Sequence, residues 1–253
     1  MAKTTIFDRP VQSESRDART EFLCRVVAPW KSELNLRSVL DLGCGVGHFS
    51  AALRDLGLQV TAVDAREENI SEARSRIPGV DFRVADAEDP SITALGTFDL
   101  VACFGLLYHL ENPLLAMRNI RALTGKLMLL ESMFVEEEHP ILFLQDEPPG
   151  DDQSLRSISC YPSEGAIIKM AYRAGFPNVY RFRELPNHND FRPLVGRSRM
   201  RTVVAASNPP MTSPLLEAAA EPKSSRDLWT TDPTGISKML RKIRRNVKVL
   251  RSK

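Results

Sequence analysis

Apolar residues in this chain cluster into short runs separated by amphipathic stretches. Runs at 38–42, 59–63, 80–85, 98–103 and 126–131 have the length and β-branched content of buried strands. Between them apolar positions recur at helical spacing, and Gly57 and Pro78-Gly79 supply stop signals. Strand and helix in alternation predict an α/β fold with a parallel sheet covered on both faces. A helix over 163–174, closed by Gly175, precedes two further strands expected at 176–183 and 199–206. Upstream, Phe22, Leu23, Val26, Val27 and Trp30 share one face of a helix beginning near Arg16. Pro29 is expected to kink or end it. Residues 134–160 break the alternation. They are rich in acid and proline, and read as a long irregular loop that shapes substrate access.

The pattern divides the chain into four parts. Residues 1–35 form an N-terminal helical segment and 36–207 the sheet domain. Residues 208–232 are a Pro/Ser/Ala-rich linker, and 233–253 a basic amphipathic helix. Asp232-Pro233 gives that helix an N-cap and a proline at its first position. Its stripe is Ile236, Met239, Leu240, Ile243, Val247 and Leu250.

Charge sharpens this division. Residues 209–253 hold ten Lys/Arg against four Asp/Glu, while the whole chain is only +2, so a mildly acidic body carries a basic tail. The tail suits an anionic membrane surface or a protein partner better than RNA, because its stripe has no aromatics. The longest nearly apolar stretch, 100–110, is too short to span a bilayer, and residues 1–10 lack an apolar signal core. A cytoplasmic location is expected, with peripheral attachment at the inner membrane surface through the tail. Four separated cysteines form no C-x-x-C pair, and neither His139 nor His188 has paired ligand spacing, so no metal is expected.

The candidate chemistry begins at Val39-Leu40-Asp41-Leu42-Gly43-Cys44-Gly45-Val46-Gly47-His48-Phe49. A strand ends in an acid, a turn follows with glycine at every second position, and a helix starts. Such a turn lets backbone approach a nucleoside. His48 stands where the dinucleotide fingerprint needs Gly or Ala, and the Asp41 carboxylate would repel a pyrophosphate. A sulfonium and an ammonium would both favour it.

Asp-x-Gly-x-Gly-x-Gly resembles motif I of the class I S-adenosyl-L-methionine (SAM)-dependent methyltransferases. The resemblance covers roughly residues 36–207. It implies a Rossmann-like sheet of seven strands with the seventh antiparallel, and SAM as cosubstrate. Asp64, which ends the second strand 17 positions after Gly47, then takes the role of the ribose carboxylate. Asp86 and the backbone of Ala87, after the third strand, take the adenine. Asp41, Gly43, Cys44, Gly45, Gly47 and Cys103 complete the implied cofactor-binding set.

Gly105-Leu106-Leu107-Tyr108-His109, with Pro113 four residues on, is similar to a segment of small-molecule methyltransferases of this class. It also resembles the enzyme that carboxymethylates wobble uridine in bacterial tRNA, which keeps an RNA-modifying function as an alternative. The Asn/Asp-Pro-Pro-Tyr consensus of amino-group methyltransferases is absent. The expected acceptor is therefore an oxygen on a small molecule or glycan-like metabolite. His109 is the candidate general base and Tyr108 its neighbour in the catalytic set. The alternative from another class is a catalytically silent SAM-fold subunit that recruits a partner through its tail. The three strand-end carboxylates argue against it.

Overall fold

Ser38–Leu42 (β1) is buried from Val39 onward on both faces, the environment its unbroken apolar run anticipates. It is an interior strand of an eight-stranded sheet in a computed structural model that describes residues 10–147, 153–193 and 199–223. In chain order the elements are α1 (Pro10–Glu33), β1, α2 (His48–Asp55), β2 (Gln59–Asp64), α3 (Glu67–Arg76), β3 (Asp81–Val84) and β4 (Phe98–Phe104). Then follow α4 (Pro113–Leu123), β5 (Thr124–Val135), β6 (Leu142–Asp146), β7 (Ile158–Pro162) and α5 (Glu164–Ala174). The last described elements are β8 (Asn178–Phe182), β9 (Arg199–Ser207) and β10 (Leu216–Ala218).

The sheet runs β10-β8-β9-β5-β4-β1-β2-β3. β1 pairs in parallel with both β2 and β4, and β9 is antiparallel to both β5 and β8, as the resemblance implies. From β1 the chain first winds outward through β2 and β3, then returns to lay β4 and β5 on the other side. The strand order therefore reverses between β1 and β4, which opens a crevice at the strands' carboxyl ends.

Alternate strand residues feed two core layers. Val39, Val60, Leu100, Leu127 and Leu129 pack beneath α1, α2 and α3. Leu40, Leu42, Val101, Met128 and Leu130 pack beneath α4 and α5. Each such side chain, fully buried, stabilises the fold by about 1.5–3 kcal/mol relative to exposure.

Three boundaries differ from the sequence reading. First, α1 is part of the sheet domain: Phe22, Leu23, Val26, Val27 and Trp30 lie within one core layer, and the Trp30 ring sits 5.9 Å from that of Phe182. Pro29 neither ends nor separates it, since the helix runs on to Glu33. Pro29 is on the exposed face, where water can satisfy the carbonyl it orphans, while buried Trp30 anchors the last turn.

Second, the expected loop at 134–160 contains ordered strands. β5 extends to Val135, and β6 and β7 form a separate antiparallel hairpin.

Third, the expected linker is not free at 216–219. β10 pairs antiparallel with β8, Leu216 and Ala219 are buried, and Tyr172 Oη donates to the Ala219 carbonyl. The basic amphipathic helix expected at 233–253 lies outside the described residues. Among the described residues no helix is long and apolar enough to cross a membrane.

Candidate active site

The glycine turn after β1 is tied to the end of β2. Gly43 N–H and Cys44 N–H both donate to the Val63 carbonyl, at 2.8 and 2.9 Å. Gly43 has φ +77°, and a Cβ there would come within 2.8 Å of Leu106 Cβ. Only glycine fits both the backbone and the space. The Gly45 N–H donates to Asp64 Oδ2 at 2.9 Å. Asp64 Oδ1 accepts from the Arg66 N–H and from Asn69 Nδ2, each at 3.0 Å. Turn and strand-end carboxylate thus hold one another in place.

A cavity opens above this junction. Gly43, Gly45, Asp64, Asp86, Ala87 and His109 all line it. The sequence reading therefore gathered six residues from four chain segments at one place. Asp86 Oδ1 accepts from the Glu88 N–H at 2.9 Å, and Asn119 Nδ2 donates to the Ala87 carbonyl from within the core. The first contact orients the carboxyl group and the second the peptide behind it.

The other five residues in that reading do not line the cavity. Asp41 lies beneath the turn, 1% exposed, and accepts from Ser50 Oγ at 2.5 Å. Burial and, to a smaller extent, the Asp64 charge push its pKa up to about 7, although the Ser50 hydrogen bond pulls the other way.

Cys44 and Cys103 are buried, and desolvation followed by the charge of Asp41 pushes both thiols well above their usual range. They are inert packing residues. Gly47 begins α2 with φ +87°, and a Cβ there would lie 2.6 Å from Ile77 Cδ1. Its glycine serves packing against Ile77 and Phe82. Tyr108 is buried, stacked 5.7 Å from the Tyr161 ring, and its hydroxyl accepts from Arg201 Nη2 at 3.2 Å.

His109 closes a short 3-10 turn, Leu107–His109, at the cavity wall. Both ring nitrogens are buried, and neither makes a hydrogen bond of normal geometry. Burial, and then the charges of Arg201 and Arg66, lower its pKa to about 3, against a contact with Gln153 that raises it. Glu147 Oε1 lies 3.5 Å from Nδ1. That oxygen also accepts from the backbone N–H groups of Gln153 and Ser154 at 2.9 and 2.8 Å. The imidazole is thus neutral at physiological pH.

Sequence reasoning missed part of the cavity lining and the ion pairs near it. Gln153 and Leu155 line it from the segment before β7. Arg66 Nη2 donates to the Ser154 carbonyl, while Arg156 reaches Glu88, Asp86 and Glu111 at 2.9–3.3 Å. Near Gly105, fully buried Glu131 pairs with Arg201 at 2.9 Å and Arg19 at 3.1 Å. Burial alone would lower the Arg201 pKa, but the charge of Glu131 and the Tyr108 hydroxyl outweigh it. Gly105, directly after β4, was legible by the rule that found Gly43 after β1. The arginines carried no such signal.

His139 and His188 have local roles. The His139 carbonyl accepts from Ser163 Oγ, and His188 Nδ1 accepts from the Asp190 N–H.

A switch-point crevice with a glycine turn and two strand-end carboxylates defines a Rossmann-like nucleoside-binding domain. A family model described as a methyltransferase domain matches residues 12–181, and the chain belongs to that family. The ubiquinone biosynthesis O-methyltransferase of Xanthomonas campestris pv. campestris (strain B100) is 42% identical over 84 residues, 32% of this chain and 35% of that protein. Its counterpart in Xanthomonas axonopodis pv. citri (strain 306) is 41% identical over 98 residues, 36% of this chain and 41% of that protein. Both matches span less than half of the relative's length.

Among solved structures, the N-terminal domain of EvdMO1 with SAH bound has a TM-score of 0.60 at 21% identity, covering 73% of this chain and 80% of that one. Magnesium protoporphyrin IX methyltransferase (ChlM) from Synechocystis PCC 6803 with bound SAH has a TM-score of 0.53 at 18% identity, covering 82% and 90%. These likenesses are of fold.

Proposed function

We propose that the protein transfers a methyl group from SAM to a hydroxyl oxygen of a small molecule. The observation that carries the donor is the Gly43–Gly45 turn locked onto Asp64, with Asp86 at the next strand end of the same cavity. The two carboxylates offer acceptor oxygens to ribose hydroxyls and an adenine amino group. Bound SAM supplies an electrophilic methyl on a sulfonium.

The chain's own part is to align and to dehydrate. Gly43 and Gly45 bring backbone against the ligand, and Leu106, Leu110 and Leu155 keep water from the reacting oxygen. His109 stays neutral at the cavity wall, with Glu147 and Gln153 beside its ring, and its role is to shape and orient the acceptor's place there and not to act as a strong base. The depressed basicity favours an acceptor whose proton leaves late, or as the oxygen bonds to carbon. The O-methyltransferase names of the partial relatives support an oxygen acceptor.

The test has two stages. SAM and S-adenosylhomocysteine should raise the melting temperature and NAD should not. A panel of phenolic and aliphatic hydroxyl compounds, with radiolabelled SAM, should then yield methyl ethers. A larger stabilisation by NAD would sink the donor reading, and label found on amines or carboxylates would sink the acceptor reading.

A further inference from the structure

The segment from Gln153 to Arg156 lies beyond the β6–β7 ladder, which ends at the pair Asp146 and Ile158. Side chains fasten it. Gln153 and Ser154 both give their N–H groups to Glu147 Oε1, at 2.9 and 2.8 Å. Ser154 Oγ donates to the Ile158 carbonyl at 2.6 Å, and the Ser154 carbonyl accepts from Arg66 Nη2 at 2.9 Å. Backbone and hydroxyl of this one buried residue are thus all engaged.

Arg156 is the second anchor. Its guanidinium reaches Glu88 at 2.9 Å, and Asp86 and Glu111 at 3.3 Å. Arg66 follows β2 and Asp86 follows β3, so the segment is tied to the ends of two neighbouring parallel strands. Between the two anchored residues, Leu155 lines the cavity and is still 46% exposed, the position of a side chain at its rim. A leucine held there gains burial when the cavity fills. The Arg156 side chain is itself partly exposed, and ion pairs of that kind are individually weak and readily remade.

We propose that this segment is a clasp on the bound donor, in which Arg156 is a positioning residue that holds Leu155 against the ligand and so sets how long the ligand stays. The inference rests on SAM as the donor and adds what retains it. Asp86 joins the two events. Its Oδ1 accepts from the Glu88 N–H and its Oδ2 from Arg156, and a carboxylate keeps further lone pairs for an amino group of the base. The group that reads the ligand is therefore also a post to which the clasp is fastened. Arg156 suits this place because a planar guanidinium can serve several carboxylates at once, which an ammonium does less well.

The test measures dissociation of radiolabelled S-adenosylhomocysteine from the full chain, chased with unlabelled ligand. Arg156→Ala and Leu155→Ala should each speed dissociation about tenfold, with association little changed. The double variant should be no faster than the faster single one, because Arg156 acts through Leu155. Effects that multiply in the double variant would overturn the proposal, and so would single variants that release the ligand at the wild-type rate. A lower melting temperature of ligand-free Arg156→Ala with unaltered dissociation would show that Arg156 only braces the fold. Arg156→Lys, which keeps the charge without the fork, should fall between wild type and Arg156→Ala, and it gives the same comparison should Arg156→Ala not fold. A wild-type protein that does not bind S-adenosylhomocysteine would instead remove the donor reading itself.

Discussion

Ser50, in the first turn of α2, donates its hydroxyl to Asp41, on β1, across 2.5 Å in a fully buried setting. The pair ties the helix after the glycine turn to the strand before it. The Asp41 carboxyl has a pKa raised to about 7, against an ordinary value near 3.9 in an unfolded chain. Between those values the native state holds a proton that the unfolded state has released. Its stabilising contribution is complete below about pH 4 and is lost as pH rises through 7, falling by about 1.4 kcal/mol for each tenfold drop in proton concentration across that window. Asp41→Asn should therefore gain stability relative to wild type as pH rises from 4 to 7. Urea midpoints across that range check it, and parallel curves would refute the raised pKa.

Asp64 joins the turn to the proposed ribose site. Asp64→Ala removes charge-assisted hydrogen bonds of ~1.5–3 kcal/mol and should lower SAM affinity about ten- to hundredfold. Calorimetry at one salt concentration is sufficient. Wild-type affinity in a folded variant would mean that the ligand lies elsewhere.

His109 makes a prediction about pH. With its pKa lowered to about 3, no protonation of this residue occurs between pH 8 and 5. The pH profile of kcat/KM should then lack an acid limb near 6.5 that disappears in His109→Gln. The substitution should reduce kcat more than it reduces SAM affinity, because the role proposed for the ring concerns the acceptor and not the donor. An acid limb near 6.5, absent from the variant, would restore a conventional general base.

Gly43→Ala tests the tightness of the turn. A side chain at φ +77° costs about 1–2 kcal/mol in backbone strain alone, and its Cβ would overlap Leu106. A lower urea midpoint and weaker SAM binding are expected together. A variant as stable as wild type would show that Leu106 yields freely.

All seven strands that the apolar runs predict are present, and all but the edge strand β3 are largely buried in a way that leaves a mark in the sequence. Leu40 and Val101 feed one core layer and Val39 and Leu100 the other, so whole runs must be apolar. β6 left no such mark. Its Leu142, Phe143 and Leu144 are exposed despite being apolar, and they stand between acidic and proline-rich stretches. β10 has only three residues within a stretch of turn formers. The site divides in the same way. Gly43, Asp64 and Asp86 sit where strands end, a position that periodicity reveals. Arg19, Glu131, Arg156 and Arg201 act through pairings 68 to 112 residues apart, which no local pattern encodes. Asp41 was correctly located on β1, but the side to which its carboxyl turns is decided by Ser50.

The two margins of the sheet are protected by different means. On β3, Asp81 and Arg83 form an exposed ion pair at 2.7 Å, and fixed charge of this kind discourages another strand from joining. β8 has no such guard along its outer side. There Leu216, Glu217 and Ala218 lie opposite Phe182, Arg181 and Tyr180 and occupy the hydrogen-bonding positions themselves. A polypeptide cut after Ser207 would present that row of vacant N–H and C=O groups, flanked by Val179, Tyr180 and Phe182, to its neighbours in solution. The short return of the chain is thus a device for solubility: without it, strand pairing between copies would have an open template.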